Sequence, residues 1–205
     1  MKHRISSLLL TGIFLLCAGC GAPAASGTEE PASLQFFSMD TVMSITAYGE
    51  QGQTGVQAAR EAVNRLDGLL SRTDPDSQIS RLNAHAGDGT AVEVESDVAE
   101  LLSFAQSVSQ LLPGDFDITI APVMDAWGFT TEERHVPTEQ ALSAALALVD
   151  SSQLEVDEAA STARLLRAGM EVDLGAVAKG FAAGEAEEAL RGPAWSGPPS
   201  IWGAM

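Results

Sequence analysis

The residues best placed to do chemistry lie in Glu171 to Gly184, E-V-D-L-G-A-V-A-K-G-F-A-A-G. Val172 and Leu174 flank Asp173 in a short strand pattern. Gly175 then permits a tight turn, and Ala176 to Leu190 has the periodicity of a helix. A strand, a turn and a helix start packed together offer unpaired N–H groups and the positive end of a dipole. Phosphate can sit at such a corner, and Lys179 adds a formal charge there. The competing reading is that Gly175 and Gly180 only allow helix and strand to pack closely while Lys179 is solvated. A glycine-rich turn alone does not decide between the two.

The elements that must position this corner follow from pattern. Leu34 to Tyr48 alternates and is β-branched, so it is expected as one or two strands broken near Ser38-Met39-Asp40; Gly49 to Gly55 is expected as a turn. From Val56 the apolar positions Ala59, Val63, Leu66, Leu69 and Leu70 predict an amphipathic helix ending near Ser71. Asp74-Pro75-Asp76-Ser77 stops that helix and caps a short one through Leu82. Ala91 to Val94 is expected as a short edge strand. Ser96 is the expected N-cap of a helix whose face carries Val98, Leu101, Leu102, Ala105, Val108 and Leu111, ended by Pro113-Gly114. Phe116 to Ala121 is expected to be extended, and Pro122 opens a short helix to Trp127-Gly128. Thr138 caps a further helix to Val149. Leu154 to Asp157 and Thr162 to Leu166 form a hairpin leading through Ala168-Gly169 into the Asp173 strand. Strands and helices mix without a βαβ repeat, which predicts an α+β domain with a largely antiparallel sheet and packed helices.

At the start, Lys2, His3 and Arg4 precede an apolar run from Ile5 to Leu16, followed by Cys17-Ala18-Gly19-Cys20. This is an export signal, too short for a mature membrane span. Ala18-Gly19-Cys20 resembles the lipobox of bacterial lipoproteins, with Cys17 where leucine is usual; an ordinary secretory signal is the alternative. The resemblance implies lipidation at Cys20 and a product anchored to the membrane on its extracytoplasmic side. Residues 21–33, rich in Ala, Gly, Pro and Ser, are expected as a tether. About 170 residues remain, enough for one domain with a sizeable core. The formal net charge of −17 argues against nucleic acid as a partner and against unaided binding to anionic lipid. A phosphorylated ligand would need a local cation or helix termini in so acidic a chain.

Four segments, in order, resemble the ApbE family, the bacterial FAD:protein FMN transferases. Met39-Asp40-Thr41 is similar to the family's M-G-T, with Asp40 in place of glycine. Leu69 to Asn83, L-L-S-R-T-D-P-D-S-Q-I-S-R-L-N, resembles L-S-x-Y-x-x-x-S-x-I-x-R-L-N, with Thr73 at the tyrosine position. Asp115 to Phe129 resembles F-D-x-T-x-x-P-L-x-x-x-W-G-F, and the Asp173 segment resembles D-L-G-G-I-A-K-G-Y-A, with Ala176 for the second glycine. The resemblance runs from about Leu34 to Leu190 and implies an ApbE-like fold. It implies that Met39 and the residue at Thr73 lie against the flavin of FAD, and that Asp115, Phe116, Asp117, Asp173 and Lys179 contact FAD. It also implies that Ala176 offers its backbone carbonyl to Mg²⁺, a hard acceptor for a hard cation. On residue type alone, Met39 suits core packing equally, and Asp115 and Asp117 suit capping of the turn after Pro113-Gly114. Trp127 and Phe129 are expected as core anchors, and His85 and His135 as surface residues without metal-binding companions.

The reaction implied by the resemblance passes FMN from FAD to a threonine or serine hydroxyl of an acceptor protein, a flavoprotein subunit of a membrane redox complex, with release of AMP. The family's second half carries L-G-G-[DN], S-G-[DS]-Y and D-x-x-T/S motifs, and none of them follows Leu190 in this chain. Catalytic residues are expected among them, so the 205-residue chain by itself is expected to be inactive. Residues 191–205, R-G-P-A-W-S-G-P-P-S-I-W-G-A-M, differ in composition from the preceding helix. Codons for Ala194 to Ala204 read two bases later permit V-E-R-A-A-L-D-L-G-G-N, so the tail is read as a frameshift product, with a divergent tail as the alternative. A tethered FAD-binding lipoprotein without transferase activity and an inactive fragment are the other readings of the whole.

Overall fold

A computed structural model describes residues 30–131, 133–192 and 203–204. The export segment with Cys20, the tether as far as residue 29 and tail residues 193–202 and 205 lie outside the described residues.

Strands β1 (Ala32–Ser38) and β2 (Thr41–Ala47) form an antiparallel hairpin in unbroken register from Ala32 opposite Ala47 to Ser38 opposite Thr41. Its two-residue turn places Met39 at φ 50° and Asp40 at φ 57°. Two left-handed residues match the twist of the flanking strands. They also explain glycine at the second position of the family motif, and aspartate is among the few other residues that tolerate this conformation. Alternation in β2 turns Met43, Ile45 and Ala47 inward. Gly203–Ala204 forms a two-residue strand β6 along the other edge of β2, antiparallel, opposite Ser44 and Met43.

Helix α1 (Gly52–Leu70) packs on this hairpin and buries Val56, Ala59, Val63, Leu66 and Leu70. It begins at Gly52, within the segment expected to be a turn; Gly49, at φ 98°, makes the turn instead. The two early glycines serve close packing: a Cβ on Gly55 would come 3.2 Å from Leu190 Cδ2, and one on Gly52 3.0 Å from the Ala47 carbonyl oxygen. Leu190 belongs to the last helix, which buries a stripe of Ala178, Ala182, Ala186 and Leu190. Small residues at every fourth position let this helix approach α1 closely.

The second sheet has the order β3-β5-β4, with β3 (Val92–Glu93) on the edge and β4 (Leu154–Asp157) paired antiparallel to β5 (Thr162–Leu165). Helix α2 (Gln78–Ala84) is capped by Ser77, whose hydroxyl accepts from Ser80 N–H at 2.9 Å. Helix α3 (Ser96–Leu111) starts one residue before its expected register, with Glu95 as N-cap. Its buried face is Val98, Ala99, Leu101, Leu102, Ala105 and Ser109, and Leu111 is 77% exposed. The expected apolar stripe therefore ends a turn early, where the helix passes the rim of the core. Helix α4 (Ala121–Ala126) carries Pro122 in its first turn, and α5 (Glu139–Leu146) is capped by Thr138. It ends three residues short of Val149, in a turn closed by the bonds of Leu148 and Val149 N–H. Helix α6 (Ala178–Arg191) closes the chain of helices.

Two antiparallel sheets with packed helices make this an α+β fold, as the pattern predicts. The Asp173 segment is an exception to the expected strands. Among the described residues it joins no sheet and makes a single parallel bridge between Glu171 and Ile120. The Phe116 to Ala121 segment that it meets is not an extended run: it turns at Ile118 and Thr119 and is already helical at Ala121.

Candidate functional site

Residues 171–175 are pinned from two sides. Asn83, at the end of α2, donates Nδ2–H to the Val172 carbonyl at 3.0 Å and accepts Val172 N–H on Oδ1 at 2.8 Å. The side-chain amide thus imitates a neighbouring strand. On the other side Asp173 N–H donates to the Ile118 carbonyl at 2.8 Å. Val172 and Leu174 are buried between these supports. Asp173 turns outward, and its Oδ1 accepts Gly175 N–H at 2.8 Å. A Cβ on Gly175 would come 3.0 Å from that oxygen, so glycine here serves proximity to the carboxylate rather than a left-handed turn.

Arg72, between α1 and α2, holds this corner. Its side chain is only 9% exposed. Nη2 donates to Asp125 Oδ1, and Nη1 lies 3.3 Å from both Asp125 Oδ2 and Glu171 Oε2. Nε is 2.9 Å from Asp173 Oδ2, an ion pair without an in-line hydrogen bond. Burial alone would lower the pKa of Arg72. The bond to Asp125 and the charges of Asp125, Asp173 and Glu171 outweigh it and hold the guanidinium above its ordinary value. Glu171 is pushed up by burial and by Asp125, against the pull of Arg72.

Two cavities meet at this corner. The first, about 280 Å³, is lined by Met39, Thr73, Asp173 and Lys179 together with Arg72 and Asp67. The second, about 580 Å³, is lined by Asp115, Phe116, Asp117, Asp173 and Ala176. Asp173, Gly175 and Met124 belong to both. Every residue to which the resemblance assigns a FAD or metal contact thus lines one bipartite cleft.

The local chemistry differs from expectation at several of these residues. Helix α6 begins at Ala178, not Ala176, and the N–H groups of both Val177 and Ala178 donate to the Leu174 carbonyl, at 2.9 and 2.8 Å. Those amides and that of Gly175 are already bonded, and the formal positive charge at this corner comes from Lys179 and Arg72. Asp117 is engaged inside the protein: Oδ1 accepts Thr119 N–H at 2.8 Å and Thr119 Oγ1–H at 2.7 Å, and Oδ2 accepts Ser151 N–H at 3.1 Å. Asp115 is exposed at the cavity edge. Phe129 is not a core anchor. It is 52% exposed, stacked on Trp127 with ring centroids 6.4 Å apart, and borders the first cavity.

Asp67 is a site residue that the sequence did not announce. Its Oδ2 accepts both Ser38 Oγ–H and Met39 N–H at 3.0 Å, which fastens the left-handed turn over the first cavity. Replacing it with alanine frees two donors, and the expected cost is about 1–3 kcal/mol in urea unfolding. Met39 should become more accessible to mild oxidation in that variant. Asp67, Asn83 and Arg72 all act over long sequence separations. Only Asn83 and Arg72 lie in a quoted motif, and neither position advertised its partner.

Magnesium is not accommodated by these residues alone. Among the described residues no group of three or more His, Cys, Asp or Glu side chains is placed to hold a metal ion. Ala176 lines the second cavity, but one main-chain oxygen is not a Mg²⁺ site.

The fold and the cleft define an α+β domain with a two-part cleft whose junction carries a buried arginine met by three carboxylates. The ApbE family model matches residues 39–195, and the chain belongs to the ApbE family. Among curated relatives, a FAD:protein FMN transferase of Haemophilus influenzae is 29% identical over 198 residues, taking in 93% of this chain and 56% of that protein. One of Treponema pallidum is 30% identical over 180 residues, 82% of this chain and 49% of that protein. The crystal structure of the ApbE protein of Thermotoga maritima superposes with a TM-score of 0.73 at 26% identity, covering 79% of this chain and 53% of that one. The apo flavinyl transferase ApbE of Pseudomonas stutzeri, at 22% identity and a TM-score of 0.73, shares the fold. The chain spans about half the length of the curated relatives it matches.

Proposed function

We propose that this chain takes part in FAD:protein FMN transfer and supplies the FAD-binding part of the site. The observation that carries the reading is the convergence of Met39, Thr73, Asp115, Phe116, Asp117, Asp173, Ala176 and Lys179 on two joined cavities. The printed names of its relatives support it. In the reaction, the hydroxyl oxygen of an acceptor threonine or serine bonds to the phosphorus of the FMN moiety. The pyrophosphate P–O bond to that phosphorus breaks, AMP departs with its electron pair, and the hydroxyl proton passes to solvent. Lys179 offsets the charge of the pyrophosphate. Met39 provides a polarizable contact for the flavin ring system, whereas Thr73 offers no aromatic face for it. Asp173 orients the turn that separates the two cavities. A Mg²⁺ ion that met the Ala176 main-chain carbonyl would need further ligands beyond the described residues. The acceptor is a flavoprotein subunit of a membrane redox complex, reached from a lipid anchor at Cys20 on the extracytoplasmic side.

A second reading is a tethered FAD-binding lipoprotein without transferase activity. The test combines the purified chain, FAD, Mg²⁺ and an acceptor domain, and measures FAD retention and covalent flavin fluorescence on the acceptor. The same assay is run with a form in which residues 191–205 are replaced by the C-terminal half of a curated FAD:protein FMN transferase. FAD retention by both forms and labelling by the extended form are expected. Retention without labelling by either form supports the second reading, and loss of FAD binding in both overturns the first and the second.

A further inference from the structure

From the charge arrangement at the cavity junction, we infer that Arg72 is a charge-balancing residue that lets an anionic dinucleotide occupy a cleft walled by carboxylates. This rests on the dinucleotide reading of the cleft and adds a role that the family motifs do not give to position 72. Asp40, Asp67 and Asp173 line the first cavity, and the cations beside them are Arg72 and Lys179. A pyrophosphate would bring further negative charge into that space, in a chain whose net charge is already −17.

Arg72 is built for the task. Its guanidinium is almost buried, is held in place by Asp125 from α4, and faces Glu171 and Asp173 from the pinned segment. Arginine stays charged in such surroundings and can address several acceptors at once through its fork. Its contacts are also uneven. Asp125 is bound through both oxygens, whereas Glu171 is met at 3.3 Å and Asp173 without an in-line hydrogen bond. Asp125 therefore competes with the cavity for the positive charge. Weakening that competitor should release charge toward the ligand.

The test uses the full chain and two probes, FAD and riboflavin, which share the flavin ring but differ in phosphate charge. Arg72→Gln should weaken FAD binding about tenfold or more and leave riboflavin binding within about twofold. Arg72→Lys, which keeps the charge and loses the fork, should recover part of the FAD affinity. Asp125→Asn should tighten FAD about threefold with riboflavin unchanged. Equal losses for both probes in Arg72→Gln would mark a merely structural residue, and no loss for FAD would mark a bystander; either overturns the inference. If Arg72→Gln does not fold, Asp125→Asn decides: FAD affinity unchanged or weakened overturns it. Failure of the unaltered chain to bind FAD is a different result, which removes the dinucleotide reading itself.

Discussion

Asp117→Ala should lower the unfolding free energy by about 3–5 kcal/mol and dissolve the wall of the larger cavity. The carboxylate accepts three hydrogen bonds, from the amide and hydroxyl of Thr119 and from the amide of Ser151. Thr119 is fully buried and Ser151 nearly so. Truncation therefore leaves two backbone donors away from water with no acceptor, and that desolvation penalty exceeds the modest net value of the bonds themselves. Thr119 Oγ1 also accepts Asp150 N–H at 2.8 Å, so the loss propagates to the turn that opens β4. Asp117→Asn is the informative partner. One amide oxygen can still serve Thr119, but the NH₂ group then faces the Ser151 N–H, and the expected cost is roughly half as large. Urea unfolding with a fixed slope would measure both. An alanine variant within about 1 kcal/mol of the unaltered chain would show that Asp117 is free to serve a ligand.

That Asp117 role marks the boundary of what could be read from the chain. Local patterns were legible because their causes are local: alternation gave the β1–β2 hairpin, three-and-four spacing gave α1, and Ser77 and Thr138 gave their caps. The cleft was legible through the family motifs, whose residues do line it. What stayed hidden depends on residues far apart in sequence. Asn83 substitutes for a strand beside Val172 across 89 positions, and Arg72 reaches Glu171 across 99. Neither shows in a hydrophobic period. The glycines at 52 and 55 looked like turn formers because their partners, Ala47 and Leu190, are visible only after folding. The bonded amides at Gly175, Val177 and Ala178 are likewise a property of the assembled turn. A sequence shows that a helix starts there, but not which of its donors remain free.

Asn83→Ala should both destabilise the fold and disable the cleft, since one side chain supports the segment on which the two cavities meet. Its amide completes both polar groups of Val172, a residue with no exposed surface. Alanine removes both partners at once, and about 2–4 kcal/mol of stability should go with them. The segment would keep the Asp173–Ile118 bond, the bridge at Ile120 and the ion pairs of Arg72 with Glu171 and Asp173, but nothing on the side of α2. Asp173 would then lose its fixed direction toward Gly175 and Arg72, and FAD binding should weaken about tenfold or more even below the unfolding transition. Asn83→Asp separates geometry from mere occupancy: its carboxylate can still accept Val172 N–H but is repelled by the Val172 carbonyl oxygen. It should be at least as damaging as alanine despite its nearly identical shape. A urea midpoint for Asn83→Ala equal to that of the unaltered chain, with FAD affinity intact, would mean that the segment is held by its apolar side chains alone.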